Sequence, residues 1–322
     1  MNTFPTLLKR EFWEHKGGFL WAPIVASAVF LALTLMAMIT AEVVGNKTGF
    51  QVNGIHLAEL TKNLGPKELL HLSAGLDFSF LMAAAWPYTV LAFVVFFYCL
   101  GTLFDERRDR SVLFWKSLPL SDRDTVLSKV ASALLVAPLI ATAVAILTGF
   151  GFYLLLSAFV LFHGGSPLKL LWGPASPLAS TWMLVGTLPV YAIWALPTVG
   201  WLLLCSAWAK SKPFLWALMI PVLSGVLVTW FDVMRLFSLK TSWYWSHVVG
   251  RLLGSTWPGA DMVFRGDFDR ISNINQAADL QRIFSVGAAW AGLADREVWI
   301  GAILGIAMIV AATRLRRWRD EG

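Results

Sequence analysis

Residues 130–162 read VASALLVAPLIATAVAILTGFGFYLLLSAFVLF, a run with no Asp, Glu, Lys or Arg. A spanning helix needs roughly 20 predominantly apolar residues to cross a hydrocarbon core about 30 Å thick. This stretch exceeds that length and is apolar on all sides, which predicts a helix whose solvent is lipid. Working outward, five further runs lack all four charged residue types: 17–41, 78–104, 170–209, 213–231 and 298–313. The expectation is an all-α, polytopic membrane protein of one domain, with spans near 18–41, 78–104, 130–162, 181–207, 213–231 and 298–315.

The limits of two spans need argument. The run at 170–209 is too long for one crossing, and Pro174 and Pro177 break its beginning, which places the helix near 181–207 after a non-helical lead-in. The last run is the shortest. Leu315 and Trp318 extend its apolar face, while Arg314, Arg316, Arg317 and Arg319 are expected to snorkel to the headgroups. Pro87, Pro138, Pro189, Pro197 and Pro221 fall inside spans, where neighbouring helices can satisfy the freed carbonyls. The first apolar run is too long for a signal-peptide core and no small-residue cleavage site follows it, so the first helix is expected to stay.

Composition agrees with lipid as the solvent. The chain has 322 residues, 57% hydrophobic and only 14% charged, where soluble domains carry about 25% charged residues. Seventeen Trp and 22 Phe fit interfacial belts and apolar packing. Cys99 and Cys205 lie inside apolar runs and read as small core residues rather than a disulfide. With the N-terminus inside, the segments 1–16, 105–129, 210–212 and 314–322 hold 15 Lys/Arg against 9 Asp/Glu, while 42–77, 163–169 and 232–297 hold 11 against 11. The first set carries the whole net charge of +6. By the positive-inside rule that set is cytoplasmic, both termini included, in a bacterial inner membrane. The basic balance is thus accounted for by topology, and no basic stripe is left for nucleic acid.

Chemistry is sparse. No ionisable residue lies in the middle of a predicted span, which disfavours an ion-coupled carrier. His15, His56, His71, His163 and His247 have no metal-type spacing, and no nucleophile has an activating partner at membrane depth. Gly45-Asn46-Lys47-Thr48 lacks the upstream glycine of a phosphate loop. No catalytic residue, metal or cofactor is expected on this chain, and any ATP is handled by another polypeptide. Gly301 and Gly305 form a G-x-x-x-G step, read as close packing within the chain. The segments 42–77 and 232–297 are too long for simple connections. In the second, Trp243, Tyr244, Trp245 and Trp257 suggest helices lying at the interface, and 283–294 is uncharged but too short to span.

Two segments stand out. Residues 4–13, Phe4-Pro5-Thr6-Leu7-Leu8-Lys9-Arg10-Glu11-Phe12-Trp13, gather Phe4, Leu7, Leu8 and Phe12 on one helical arc with Lys9 and Arg10 elsewhere, the pattern of an amphipathic helix on the membrane surface. Glu11 projects toward the apolar arc. Either it reaches solvent or it pairs with an arginine of another segment, Arg107, Arg108 or Arg110. The second segment starts with the charged cluster Asp105-Glu106-Arg107-Arg108-Asp109-Arg110, followed by Ser111-Val112-Leu113-Phe114-Trp115-Lys116-Ser117-Leu118-Pro119. Ser121 with Asp124 then marks a fresh helix start. Phe114, Trp115 and Leu118 want a partner surface, or else pack on the protein's own helix ends.

Asp105-Glu106-Arg107, the run Ser111 to Pro119, Ser121-Asp122 and Lys129, with the Lys9-Arg10-Glu11 helix and six spans, resemble the permeases of ABC-2 type exporters. The resemblance implies an interfacial N-terminal helix and a coupling helix in the loop after the second span, seated on a separate nucleotide-binding ATPase. It also implies a working unit of two permease and two ATPase chains, with ATP and Mg on the ATPase, and short re-entrant helices before the last span. The residues it assigns to coupling are Asp105, Glu106, Arg107, Arg110, Phe114, Trp115, Leu118 and Pro119. The long outer segments depart from compact members. The function so implied is export, and the uncharged lining of the spans suggests an amphiphilic or lipid-linked substrate or a hydrophobic peptide. The alternatives are a membrane sensor or anchor that binds an ATPase without moving cargo in an antimicrobial-peptide response, and an ion-coupled carrier.

Overall fold

The computed structural model describes residues 4–48, 65–110, 121–234, 241–260 and 285–318. Among these the chain is helical without strands, and six helices are long and apolar enough to cross a membrane. They are span 1, Gly17–Gly45; span 2, Glu68–Arg108; span 3, Asp122–Phe162; span 4, Leu188–Trp208; span 5, Pro213–Val233; and span 6, Arg296–Trp318. The protein is an all-α, multi-pass membrane protein.

Spans 2 and 3 are each 41 residues long, about 62 Å at 1.5 Å per residue, roughly twice the hydrocarbon thickness. The charge-free runs predicted shorter helices, 78–104 and 130–162. The extra turns are polar, and they take up much of what was assigned to the 42–77 and 105–129 connections. Ser121 caps the start of span 3 by accepting from the Asp124 N–H at 3.0 Å, as the Ser-x-x-Asp spacing predicts. Span 2 ends at Arg108, where Arg110 takes a left-handed φ of 56°. The lead-in to span 4 is helical, not irregular: Leu168–Trp172 and Pro177–Gly186 form two short helices, and Thr187 separates them from Leu188.

The main core lies between spans 2, 3, 4 and 6 and includes Leu91, Val95, Cys99, Ala137, Ala195, Val199, Leu203, Ile309 and Ala312. Span 4 meets span 6 backbone to backbone. A Cβ on Gly305 would lie 2.5 Å from the Leu196 carbonyl and 2.9 Å from the Pro197 nitrogen, and one on Gly200 would strike the Gly305 carbonyl. The G-x-x-x-G step is therefore used inside the chain. A second core surrounds Phe80, whose ring lies on Gly149 and edge-on to Tyr153. Span 1 is buried over only 6% of its apolar window and span 5 over 17%, so both present most of their sides outward.

The segment before span 6 departs from the surface-lying helices predicted for it. Thr241–Tyr244, Trp245–Gly250 and Arg251–Gly254 form one broken helix seated against spans 4 and 5 and tied to span 6 by Arg251 and His247 at Glu297. Trp245 lies over Gly225 and donates to Thr229 Oγ1 at 2.9 Å, and Tyr244 donates to Ser224 at a similar distance. Thr198 donates to the Arg251 carbonyl at 2.7 Å and accepts from the Ser255 N–H at 3.1 Å, while Tyr191 donates to the Thr256 carbonyl. Thr198 is ten residues into span 4, about 15 Å along it. Irregular backbone is tolerated at such depth because hydroxyls of the spans satisfy it.

Two outcomes follow from this packing. Gly305→Ala forces a methyl into the Leu196 carbonyl, an overpacking cost of about 1–3 kcal/mol; the thermal midpoint of purified protein should fall, and an unchanged midpoint would mean that spans 4 and 6 do not touch there. At the end of span 3, His163 Nδ1 lies 2.8 Å from the Phe159 carbonyl and Nε2 lies 2.9 Å from the Glu42 carboxylate. The Phe159 carbonyl, and then Glu42, raise its pKa above the ordinary imidazole value of 6.5. A raised folded pKa means that the pair's stabilisation is full below the unfolded value and is lost as pH climbs through the folded one. Between about pH 5.5 and 8.5, the wild-type midpoint should therefore drop more than that of His163→Gln. Parallel curves would remove the pair from the stability of the fold.

Candidate functional site

At the end of the bundle that carries the 105–129 segment, hereafter the basic end, six charged side chains meet. Glu11, on the N-terminal helix Phe4–Glu14, is 1% exposed. Its Oε1 lies 2.9 Å from Lys129 Nζ and its Oε2 accepts from the Tyr98 hydroxyl at 2.8 Å. Lys129, 2% exposed, also donates to Thr102 at 2.8 Å and pairs with Glu106 Oε1 at 2.9 Å. Glu106 Oε2 takes the Arg316 guanidinium, which reaches Asp122 at 3.3 Å with its Nε. Arg10 lies 3.0 Å from Glu11 and 3.4 Å from Glu106. The charges Arg10, Lys129 and Arg316 balance Glu11, Glu106 and Asp122.

Helical periodicity delivers each group. On span 6 the buried positions Gly301, Gly305, Ile309 and Ala312 continue to Arg316, all on one face at steps of three and four. Leu91, Val95, Cys99 and Thr102 lead in the same way to Glu106, and Leu7 leads to Glu11. The N-terminal helix consequently docks on the start of span 3 through Leu7 and Glu11, and Phe12 packs against the main core. Lys9 stays exposed.

The neighbouring residues complete a plate. Arg107 donates to the Ser206 carbonyl at 2.6 Å and to the Ala209 carbonyl at 2.9 Å. It thereby caps the last turn of span 4, where carbonyls lack intrahelical partners. Ser206 Oγ accepts from the Leu103 and Phe104 N–H groups. Asp105 and Arg108 pair on the surface at 3.4 Å. The two ends of the 105–121 loop are thus tied to the N-terminal helix, span 6 and the turn between spans 4 and 5.

This corrects the expected partner of Glu11. Lys129 holds it, rather than Arg107, Arg108 or Arg110, because Lys129 sits on the buried face of span 3 while Arg107 turns to span 4 and Arg108 to the surface. Arg316 does not snorkel with Arg314 and Arg317, which are exposed. Of the other residues assigned to coupling, Phe114, Trp115, Leu118 and Pro119 lie outside the described residues. Lys129 was legible as one lysine in the apolar turn Val126–Ala133, and Arg316 as the continuation of a buried stripe. Among the described residues no group of three His, Cys, Asp or Glu could hold a metal ion, and Cys99 and Cys205 are buried free thiols. A cavity of about 430 Å³ lies at the opposite end, among Asp77, Phe78, Ser180, Trp182 and Val286.

Comparison of the chain with family models, with curated proteins and with solved structures gave no match. The site is therefore read from its own geometry. A buried, balanced ion network can transmit displacement: moving one member exposes its partner's charge to an apolar surrounding.

Removing Lys129 tests the network directly. Lys129→Met leaves Glu11 and Glu106 buried with one cation fewer and should cost about 3–5 kcal/mol. Adding Glu11→Met removes one stranded carboxylate and should recover part of that loss, since Glu106 keeps Arg316. Denaturation midpoints of the two variants and of Glu11→Met alone give the coupling. Losses that add as independent terms would dissolve the pair.

Proposed function

We propose that this chain is the membrane-spanning subunit of an ATP-driven exporter of the ABC-2 type. In this reading the basic end is cytoplasmic, the membrane is the bacterial inner membrane, and the ATP and Mg are held by a separate ATPase subunit in two copies. The observation that carries it is the anchoring of the 105–121 loop: both its roots enter one buried charge cluster that also grips the N-terminal helix and span 6. A loop that merely connected two spans would not need its roots joined to three other elements. A loop that receives force from a partner does, because displacement at the loop must reach every helix that moves. The resemblance of residues 105–119 to the coupling segment of such permeases supports the same reading.

Mechanistically, closure of the ATPase pair would press on the segment between Asp109 and Ser121. Glu106 and Lys129, at the two roots, would pass that displacement to the N-terminal helix through Glu11 and to span 6 through Arg316. Arg107 would carry it to the turn between spans 4 and 5. Such coupling needs a bistable element biased by the partner. The lightly buried sides of spans 1 and 5 leave room for lipid and for a second permease chain. The cargo class is an amphiphilic, lipid-linked or peptide molecule.

The test is on the loop. Phe114, Trp115 and Leu118 place three large apolar side chains within five positions, each worth roughly 1.5–3 kcal/mol when buried. Trp115→Ala should reduce co-purification of the partner ATPase and uncouple its hydrolysis from transport, with insertion and thermal midpoint unchanged. Lys116→Ala should have a smaller effect, mainly on salt dependence. Full ATPase binding and transport by the Trp115 variant would overturn the coupling role.

A further inference from the structure

Arg251 is a buried cation that the spans alone did not foretell, because it is brought to depth by the broken helix. The residue is 5% exposed, and its carbonyl is held by Thr198, about 15 Å into span 4. The guanidinium lies 4.2 Å from the centre of the Trp194 ring and donates from Nη1 to the Glu297 carbonyl at 2.6 Å. Its remaining donors, Nε and Nη2, are buried and have no hydrogen-bond partner among the described residues. The Glu297 carboxylate is engaged by His247 Nε2 at 2.9 Å. Room for the group is made by Gly301, where a Cβ would fall 2.7 Å from the guanidinium carbon.

These facts are hard to reconcile with a purely structural arginine. An ion taken out of water is tolerated when it is paired and its donors are satisfied. Here the satisfied nitrogen is Nη1. The open edge is Nε with Nη2, the parallel pair of donors that grips a carboxylate or phosphate in bidentate fashion. The walls around it, Trp194, Val298 and Ala260, are apolar. An ionisable group placed at such depth is a mark of a binding function.

We infer that Arg251 is the cationic floor of an oxyanion-binding site, and that its ligand is a phosphate or carboxylate carried by an apolar molecule. The Nε–Nη2 edge takes two oxygens of the anion, and Trp194 and Val298 take the adjoining apolar part. The guanidinium is covered in this structure, so the anion enters when the broken helix moves from span 6. The His247–Glu297 pair is a side-chain contact between those two elements and would part with that motion. The inference concerns recognition alone and stands whether or not an ATPase drives the protein.

The test uses the full chain, delipidated in a neutral detergent, with thermal unfolding and native mass spectrometry as readouts. The probes are short-chain phosphatidic acid, inorganic phosphate, and short-chain phosphatidylcholine as a zwitterionic control. Phosphatidic acid should raise the wild-type midpoint saturably and appear as a bound adduct, with phosphatidylcholine at least tenfold weaker. Arg251→Met should begin at a higher midpoint than wild type without any anion, since it removes a desolvated charge, and should lose the phosphatidic acid response. Arg251→Lys should keep the response at tenfold or more weaker affinity, because a single ammonium cannot offer the fork. If only phosphatidic acid gives the shift, the headgroup of an amphiphile is recognised as inferred; if inorganic phosphate alone reproduces it, the apolar carrier is overturned and the ligand is a free anion. A wild-type protein that answers neither probe, or an Arg251→Met variant that responds as wild type does, overturns the site. So does an Arg251→Met variant that is less stable than wild type without anion or fails to fold, since Arg251 would then be a structural prop for the broken helix.

Discussion

The fold depends on keeping a handful of charges out of water and out of lipid at the same time. Glu11, Lys129 and Arg316 are each almost wholly buried, at 1%, 2% and 5% exposure. An isolated ion in such surroundings costs several kcal/mol even after relaxation. What makes the arrangement tolerable is that every member has an opposite charge in reach, and Glu11 and Lys129 each have a neutral hydroxyl partner as well. Tyr98 and Thr102 supply the hydroxyls, and Glu106 spans the gap between Lys129 and Arg316 with its two oxygens. The cluster specifies position as well as stability. A helix that slid by one residue would turn its charge onto an apolar face, so the registers of the N-terminal helix and of spans 2, 3 and 6 are fixed together.

The two ends of the bundle solve the same problem differently. At the basic end, charged side chains are neutralised by each other, and the exposed carbonyls of span 4 are capped by Arg107. Toward the other end, the broken helix carries irregular backbone into the packed interior, and single hydroxyls from Thr198 and Tyr191 meet it, while Ser224 accepts from the Tyr244 side chain. One end is held by a network of linked charges, and the other by scattered hydroxyl contacts and isolated pairs such as His247–Glu297. Local opening is therefore cheaper where the contacts are separate, because each can part without breaking a shared network.

Much of this was legible in the residues. The charge-free runs mark every span, and the Ser121–Asp124 cap and the apolar arc of residues 4–12 read correctly. What sequence missed has physical causes. Span lengths were underestimated because the rule stops at the first charge, whereas Glu106 and Lys129 are helical and buried. The partner of Glu11 could not be chosen from charge alone, since Arg107, Arg108, Arg110 and Lys129 are equally positive and only the facing of span 3 distinguishes them. The broken helix was misplaced because Trp243, Tyr244 and Trp245 carry the composition of an interfacial belt. Two of them are instead used for hydrogen bonds to Ser224 and Thr229. Arg251 was invisible for the same reason, being counted among the residues of an outer loop.

The Glu106–Arg316 contact bridges residues 210 positions apart, and that separation has a consequence for how the protein is made. Chains emerge from the ribosome N-terminus first. Arg10, Glu11, Glu106 and Lys129 are all present once span 3 has been synthesised, and they already form a neutral quartet. Arg316 arrives only with the last helix, and it brings its charge to Asp122 as well as to Glu106. The early half waits with one surplus carboxylate, the part-exposed Asp122 at the rim, and the late half closes the cluster by adding the cation that neutralises it. The most deeply buried charges are thereby paired before the chain is finished, and the bundle is fastened last by the final turn of span 6.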